Sequence, residues 1–198
     1  MSIPHSAPFA VPSLAPEEAE SRPLPHECQR AFAAVAFLAV LTPEDVNHLC
    51  PLMHLVEIPA GENFFGEGDP SDAAYFLLSG DVEIFKSDDL DSKLPLVTLS
   101  SAGVIGEMGL LSHTPRSATA HALTDARALM LPVASFEAAM ESGNLAVYRM
   151  ALALARVLTQ RLAAMDNKLF TLFAHDGDSP RFRDLDDLRH RLLTSWVV

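Results

Sequence analysis

Basic residues are scarce in this chain. Its 198 residues include 14 Lys and Arg against 26 Asp and Glu, a formal net charge of −12. Nucleic acid and anionic lipid both repel such a chain before any contact forms, so neither DNA nor a membrane surface is expected as a partner. Cysteine is scarcer still. Only Cys28 and Cys50 are present, with no CxxC spacing. Two reduced, buried thiols in a cytoplasmic protein are expected, ahead of a single disulfide. Long apolar runs are missing too. The longest is "AFAAVAFLAVL", 31–41. It would span about 16 Å as a helix, roughly half a bilayer core, and is expected as a buried helix. The first 25 residues have neither a basic start nor a continuous apolar core, so no secretory signal is expected there. No G-x-S-x-G nucleophile elbow occurs. His48/His54 and His113/His121 lack the spacing of a metal-ligand set. No catalytic residue, metal or cofactor is expected, and the chain is not read as an enzyme.

What is present falls into blocks. Pro4, Pro8, Pro12, Pro16, Pro23 and Pro25 crowd residues 1–25. Proline fixes φ and donates no hydrogen bond, so a flexible arm is expected there. His26 to Leu41 has a helical pattern. "TPEDV" then restarts a helix, with Thr42 as N-cap, Pro43 at the first position, and Glu44 and Asp45 at the positive end of the dipole. Residues 53–133 change texture. Short runs rich in Val, Leu, Ile and Phe alternate with "PAGE", "GEGDPSD", "SGD" and "SSAG". Short strands at close spacing with Gly/Asp turns indicate a β-sandwich or barrel. After Pro132 comes a short helix ending at Gly143, then a long one from Asn144 to about 173. Leu158, Leu162, Met165, Leu169 and Leu172 are spaced 4, 3, 4 and 3, a heptad seam that favours a homodimer. The expected fold is α+β: a jelly-roll-like β-roll with N-terminal helices, a short helix in its glycine-rich stretch and a long C-terminal helix. The expected division is arm 1–25, core domain 26–173 and helical tail 174–198.

One stretch stands apart. From Leu94 to Ala126 the only Lys or Arg is Arg116, and the only carboxylates are Glu107 and Asp125. "SAGVIGEMGLL" sets Gly103, Gly106 and Gly109 around a turn and a helix start. Glycine lets backbone amides approach a ligand, and helix N-termini attract anions. An Arg in low-dielectric surroundings needs an anion. Glu107, nine residues earlier, would serve as an internal partner. A bound phosphate, held by the Arg fork and by Ser117, would serve equally well. On spacing alone the two readings stand level.

"IGEMGLLSHTPRSATA" resembles the phosphate-binding cassette of the cyclic nucleotide-binding domain family. Gly106, Glu107, Met108, Gly109, Leu110 and Leu111 fall in its first half; Pro115, Arg116, Ser117, Ala118 and Thr119 fall in its second. "IPAGENFFGEGDPSDAAYFLLSGDVEIF" resembles the family's first strands and "FLAVLTPEDVNHL" its N-terminal helix, so the likeness covers about residues 30–170. The resemblance implies roles by position. Arg116 pairs with the exocyclic oxygens of a cyclic phosphate. Glu107 accepts from the ribose 2′-OH. Backbone amides near Met108, Gly109 and Ser117, beside Ala118, complete the cage. Aligned with catabolite-activator-type regulators, Arg161 and Leu162 take the place of hydroxyl residues that meet adenine. The ligand implied is cAMP ahead of cGMP. Transcription factors of this family continue into a winged helix-turn-helix. The residues after Phe173 hold only one further helix, so a stand-alone sensor that signals to an unidentified partner protein, without DNA, is expected. The competing reading is a ligand-independent dimerisation scaffold that keeps the fold.

Overall fold

The computed structural model describes residues 22–87, 92–100 and 103–174, without the side chains of 36, 37, 161 and 164–174. Helix α1 (Pro25–Ala34) is followed by a 3-10 turn (Ala36–Val40), helix α2 (Pro43–Leu49) and a second 3-10 turn (Cys50–Leu52). Six strands come next: β1 (His54–Ile58), β2 (Asn63–Phe65), β3 (Ala73–Ser79), β4 (Val82–Ser87), β5 (Lys93–Leu99) and β6 (Val104–Ile105). Helix α3 (Glu107–Ser112) interrupts them before β7 (Thr119–Ala122) and β8 (Ala126–Pro132). Helices α4 (Val133–Glu141) and α5 (Leu145–Ala174) follow.

The strands form two antiparallel four-stranded sheets, in the orders β1-β8-β3-β6 and β2-β7-β4-β5. Alternation along β3 shows how both faces of the first sheet are used. Ala73, Tyr75 and Leu77 face the roll interior with Val82, Ala120 and Ala122 of the second sheet. Ala74 and Phe76 face the other way, into a second core built with the helices. A strand with period-two side chains can serve two cores in this way. Phe32 of α1 stacks on Phe76, ring centroids 5.2 Å apart, which seats the N-terminal helices on the sheet. Leu110 of α3 enters the same helical core and Leu111 packs against it, so the glycine-rich helix is anchored on its apolar side. The expected α+β roll is the observed architecture.

Two local expectations are corrected. The run 31–41 is not one helix. It breaks at Val35, whose extended backbone (φ −90°, ψ 102°) lets both Phe32 and Leu38 turn inward. An apolar run with no period carries no signal for such a break. Nor are the cysteines reduced: Cys28 of α1 and Cys50 after α2 form a disulfide with their Cα atoms 5.8 Å apart. Both are buried, brought together by core packing rather than by sequence proximity.

The α2 N-terminus follows expectation. The Thr42 hydroxyl accepts from the Asp45 amide at 3.1 Å, and the Asp45 carboxylate accepts from the Thr42 amide at 2.9 Å. Asp45 also accepts two bonds from Arg149 Nη1 of α5, at 2.7 and 3.0 Å. Burial alone would raise the Asp45 carboxyl. The Thr42 amide and hydroxyl and the Arg149 guanidinium together outweigh it and hold the group below its ordinary value. A depressed folded-state value means that the stabilisation is complete above the unfolded carboxylate value of about 3.9 and disappears as pH falls through the folded one. Asp45→Ala should cost about 1–2 kcal/mol at pH 7, mostly through the Thr42 bonds, since the half-exposed Arg149 is screened. Urea midpoints of wild type and variant should converge below pH 4; a gap that stays constant with pH would refute the charged-carboxylate account.

The chain divides into two compact units, the first ending at Leu154 and the second beginning at Ala155. Helix α5 starts in the first, where the Asn144 side chain accepts from the Ala146 amide at 3.0 Å, and continues into the second. Of the expected seam, Leu158 is half-buried and Leu162 is 48% exposed. The side chains of Met165, Leu169 and Leu172 lie outside the described residues, as do most of the expected arm and nearly all of the expected tail. Among the described residues no helix is long and apolar enough to cross a membrane.

Candidate functional site

The glycine-rich stretch folds as a strand end, a left-handed residue and a six-residue helix. Gly106 (φ 74°) caps α3. A Cβ there would lie 2.3 Å from Arg116 Nη1 and 3.1 Å from the Ala73 carbonyl, so both conformation and space demand glycine. Gly109 is needed for room alone: a Cβ would meet the Ser71 Cβ at 2.4 Å. Its amide donates to the Gly106 carbonyl at 3.2 Å, so in this conformation it is engaged within the helix turn rather than offered to a ligand.

Arg116 is the centre of the arrangement. Its side chain is 2% exposed. Nη2 donates to Asp72 Oδ1 at 2.8 Å and Nη1 to the Gly106 carbonyl at 3.4 Å. The guanidinium carbon stands 4.0 Å over the Phe65 ring centroid. Nε is buried and has no hydrogen-bond acceptor among the described residues. The anion that sequence reasoning sought for this Arg inside the chain is therefore supplied by Asp72, whose own side chain is largely exposed.

The β2–β3 turn holds Arg116 by its backbone as well. The Arg116 amide donates to the Asp69 carbonyl, and the Gly68 amide to the Arg116 carbonyl, both at 2.9 Å. The turn is closed by the Gly66 amide donating to Asp69 Oδ2 at 2.7 Å, as a Gly/Asp turn should be. Ser71 Oγ donates to the Thr114 carbonyl at 2.7 Å, and the Glu67 amide to Thr119 Oγ1 at 3.0 Å. Two loops distant in sequence are thus laced into one rigid cradle. Tyr75 lies beneath it, its ring 6.1 Å from that of Phe65. Burial, reinforced by the charge of Asp72 and eased by Arg116, pushes its hydroxyl up to about 12, so it stays neutral at working pH.

The other expected site residues are placed as follows. Glu107, the first residue of α3, is buried at 6% exposure. Met108 is 46% exposed. Ser117 is exposed and donates to Met108 Sδ at 3.9 Å, while Ala118 is buried. Arg161 lies on α5 in the second unit, and its side chain is outside the described residues. Sequence reasoning missed Asp72, Phe65 and Ser71. Its one available signal was the "GDPSD" turn, which it read as hairpin geometry alone. No cluster of His, Cys, Asp and Glu suited to a metal occurs among the described residues.

Residues 55–143 match the family model described as "Cyclic nucleotide-binding domain". The chain is 32% identical over 97 residues to a cAMP-dependent protein kinase regulatory subunit of Aspergillus niger, covering 49% of this chain and 23% of that one. It is 27% identical over 152 residues to a CRP-like cAMP-activated global transcriptional regulator of Mycobacterium tuberculosis, covering 77% and 66%. The solved Catabolite Activator Protein of Thermus thermophilus superposes with TM-score 0.57 at 30% identity, over 68% of this chain and 62% of that one. The chain therefore spans about a quarter of the kinase subunit's length and less than two thirds of the Thermus protein's.

Proposed function

Residues 55–143 belong to the cyclic nucleotide-binding domain family, and from that premise we propose that the chain is a sensor of cyclic purine nucleotide, cAMP ahead of cGMP. The observation that carries the reading is the Arg116 Nε, buried and without an acceptor among the described residues. A buried polar atom left unsatisfied is costly, and a guanidinium offers its Nε edge to an oxyanion in two parallel bonds. An exocyclic phosphate supplies such an oxyanion. Nη2, the other nitrogen of that edge, carries two N–H groups, one of which goes to Asp72. Both named relatives are described as responding to or depending on cAMP, which supports the choice of nucleotide.

In this reading Glu107 accepts from the ribose 2′-OH, Ser117 and the amide of Met108 add donors to the phosphate, and Ala118 lines the site. Arg161 meets the base. The module acts without catalysis, in the cytoplasm; the Cys28–Cys50 bond is the observation that pulls against that placement. Leu145, Tyr148, Leu152 and Leu162 are exposed along α5 and support a homodimer through that helix. The signal passes through α5 and the residues beyond it to a partner protein, because a ligand shifts only those elements it contacts differently in two states. With a net charge of −12, that partner is not DNA.

Calorimetric titration of the full chain with cAMP and cGMP tests the reading, and absence of heat with both would refute it. Glu107→Gln should weaken cAMP about tenfold while leaving 2′-deoxy-cAMP nearly unchanged, as expected for one hydrogen bond to a charged group. Equal losses for the two ligands would remove Glu107 from the ribose.

A further inference from the structure

The geometry points to Phe65 as a positioning residue: its ring is a platform that holds the Arg116 guanidinium flat and keeps the Nε edge toward the anion. The inference rests on the phosphate reading of the cassette and adds to it a residue from a different strand.

Five observations carry it. Phe65 ends β2, half-buried, with the Arg116 guanidinium carbon 4.0 Å over its ring centroid. Cations prefer the negative face of an aromatic ring, more so where water is excluded, and arginine also stacks there through its flat π system. Gly106 is bare where the stack needs space: its missing Cβ would lie 2.3 Å from Arg116 Nη1 and 3.3 Å from Phe65 Cε1. Asp72 and the Gly106 carbonyl fix the guanidinium within its plane, through Nη2 and Nη1. The ring fixes the plane itself. With both settled, Nε is the polar group of the fork left without an acceptor among the described residues. Phe65 is in turn buttressed by Tyr75, against whose ring Phe64 packs edge-on at 5.3 Å.

A rotatable arginine must lose its freedom when the anion arrives, whereas one already held on a ring and a carboxylate has lost it on folding. An aliphatic residue at position 65 would fill the space without attracting the cation or enforcing its plane.

Three proteins test the inference: wild type, Phe65→Leu and Phe65→Tyr. Phe65→Leu should bind cAMP roughly tenfold more weakly, the scale of a desolvated cation–π contact. Phe65→Tyr keeps the ring and should stay within about twofold. Adenosine, which lacks the phosphate, should bind all three alike in ligand-observed NMR, a split that loss of packing would not produce. Wild-type affinity for cAMP in Phe65→Leu overturns the platform, and so does an equal loss of cAMP and adenosine. If wild type itself fails to bind cAMP, the phosphate reading falls and the platform is judged by spectroscopy. The Arg116 Nε–H proton of wild type should be moved upfield of free arginine by the ring current of Phe65. A free-arginine position for that resonance overturns the inference, and this measurement stands even if Phe65→Leu does not fold.

Discussion

Arg116→Ala should weaken cAMP binding by a hundredfold or more and leave the chain folded. The anion reading gives Arg116 two charge-assisted bonds to the ligand, each contributing about 1.5–3 kcal/mol, and every 1.4 kcal/mol is a factor of ten. The structural cost is smaller. Asp72 loses its partner, but its side chain is 79% exposed and water replaces the guanidinium. The contact with Phe65 is lost as well, and a small cavity forms under Gly106. The backbone bonds at position 116 do not depend on the side chain, so the turn at 66–72 stays laced to the cassette. Arg116→Lys separates charge from geometry. It keeps a cation but presents a point charge with no fork and no plane. It should recover only part of the loss, about tenfold at most. Calorimetry of wild type and both variants, with thermal melts as the folding control, reads the result. Alanine and wild type with equal affinity would end the phosphate assignment, whatever the other residues do.

The legible part of this site was the part that is local in sequence. Gly106, Glu107 and Arg116 lie within one short stretch, and a nearly uncharged background made the Arg conspicuous. Asp72 lies 44 residues before Arg116, and Phe65 lies further back still. Nothing along the chain marks them as partners. They are joined by the β2–β7 pairing, which sets Phe65 opposite Ala120, and by the turn bonds at Asp69 and Gly68. The fold was legible for the same reason the cassette was. The Thr42 cap, the strand alternation and the turn at Gly80 (φ 95°) are all short-range choices of backbone and periodicity. The break at Val35 was not, because a run in which every residue is apolar gives no phase. Only the need to bury both Phe32 and Leu38 in one core decides it.

The cysteine pair was the plainest miss, and it leads to the largest stability effect expected here. Replacing Cys28 and Cys50 together with alanine should lower the melting temperature by about 6–12 °C. A closed loop of 22 residues corresponds to about 3 kcal/mol in the chain-entropy account, and a protein of this size moves about 2–4 °C per kcal/mol. The loop encloses α2 with its Thr42–Asp45 cap, and α1 is held besides by the Phe32–Phe76 stack and the 3.2 Å Glu27–Arg127 pair. Reduction of the wild type should reproduce most of the drop, with two thiols appearing in titration. Both cysteines are buried, so reductant should act slowly below the melting range, on the time scale of local opening. Two titrating thiols with an unchanged melt would refute the stabilising role of the bond. Nucleotide affinity should stay within a few-fold in the alanine protein. The groups that hold Arg116 come from β2, from the 66–72 turn and from Gly106, and neither cysteine is among them. A large loss of affinity would instead mean that the helical core reaches the cassette through Leu110, which shares a cluster with Cys28 and Cys50, and through Leu111 packed against that cluster.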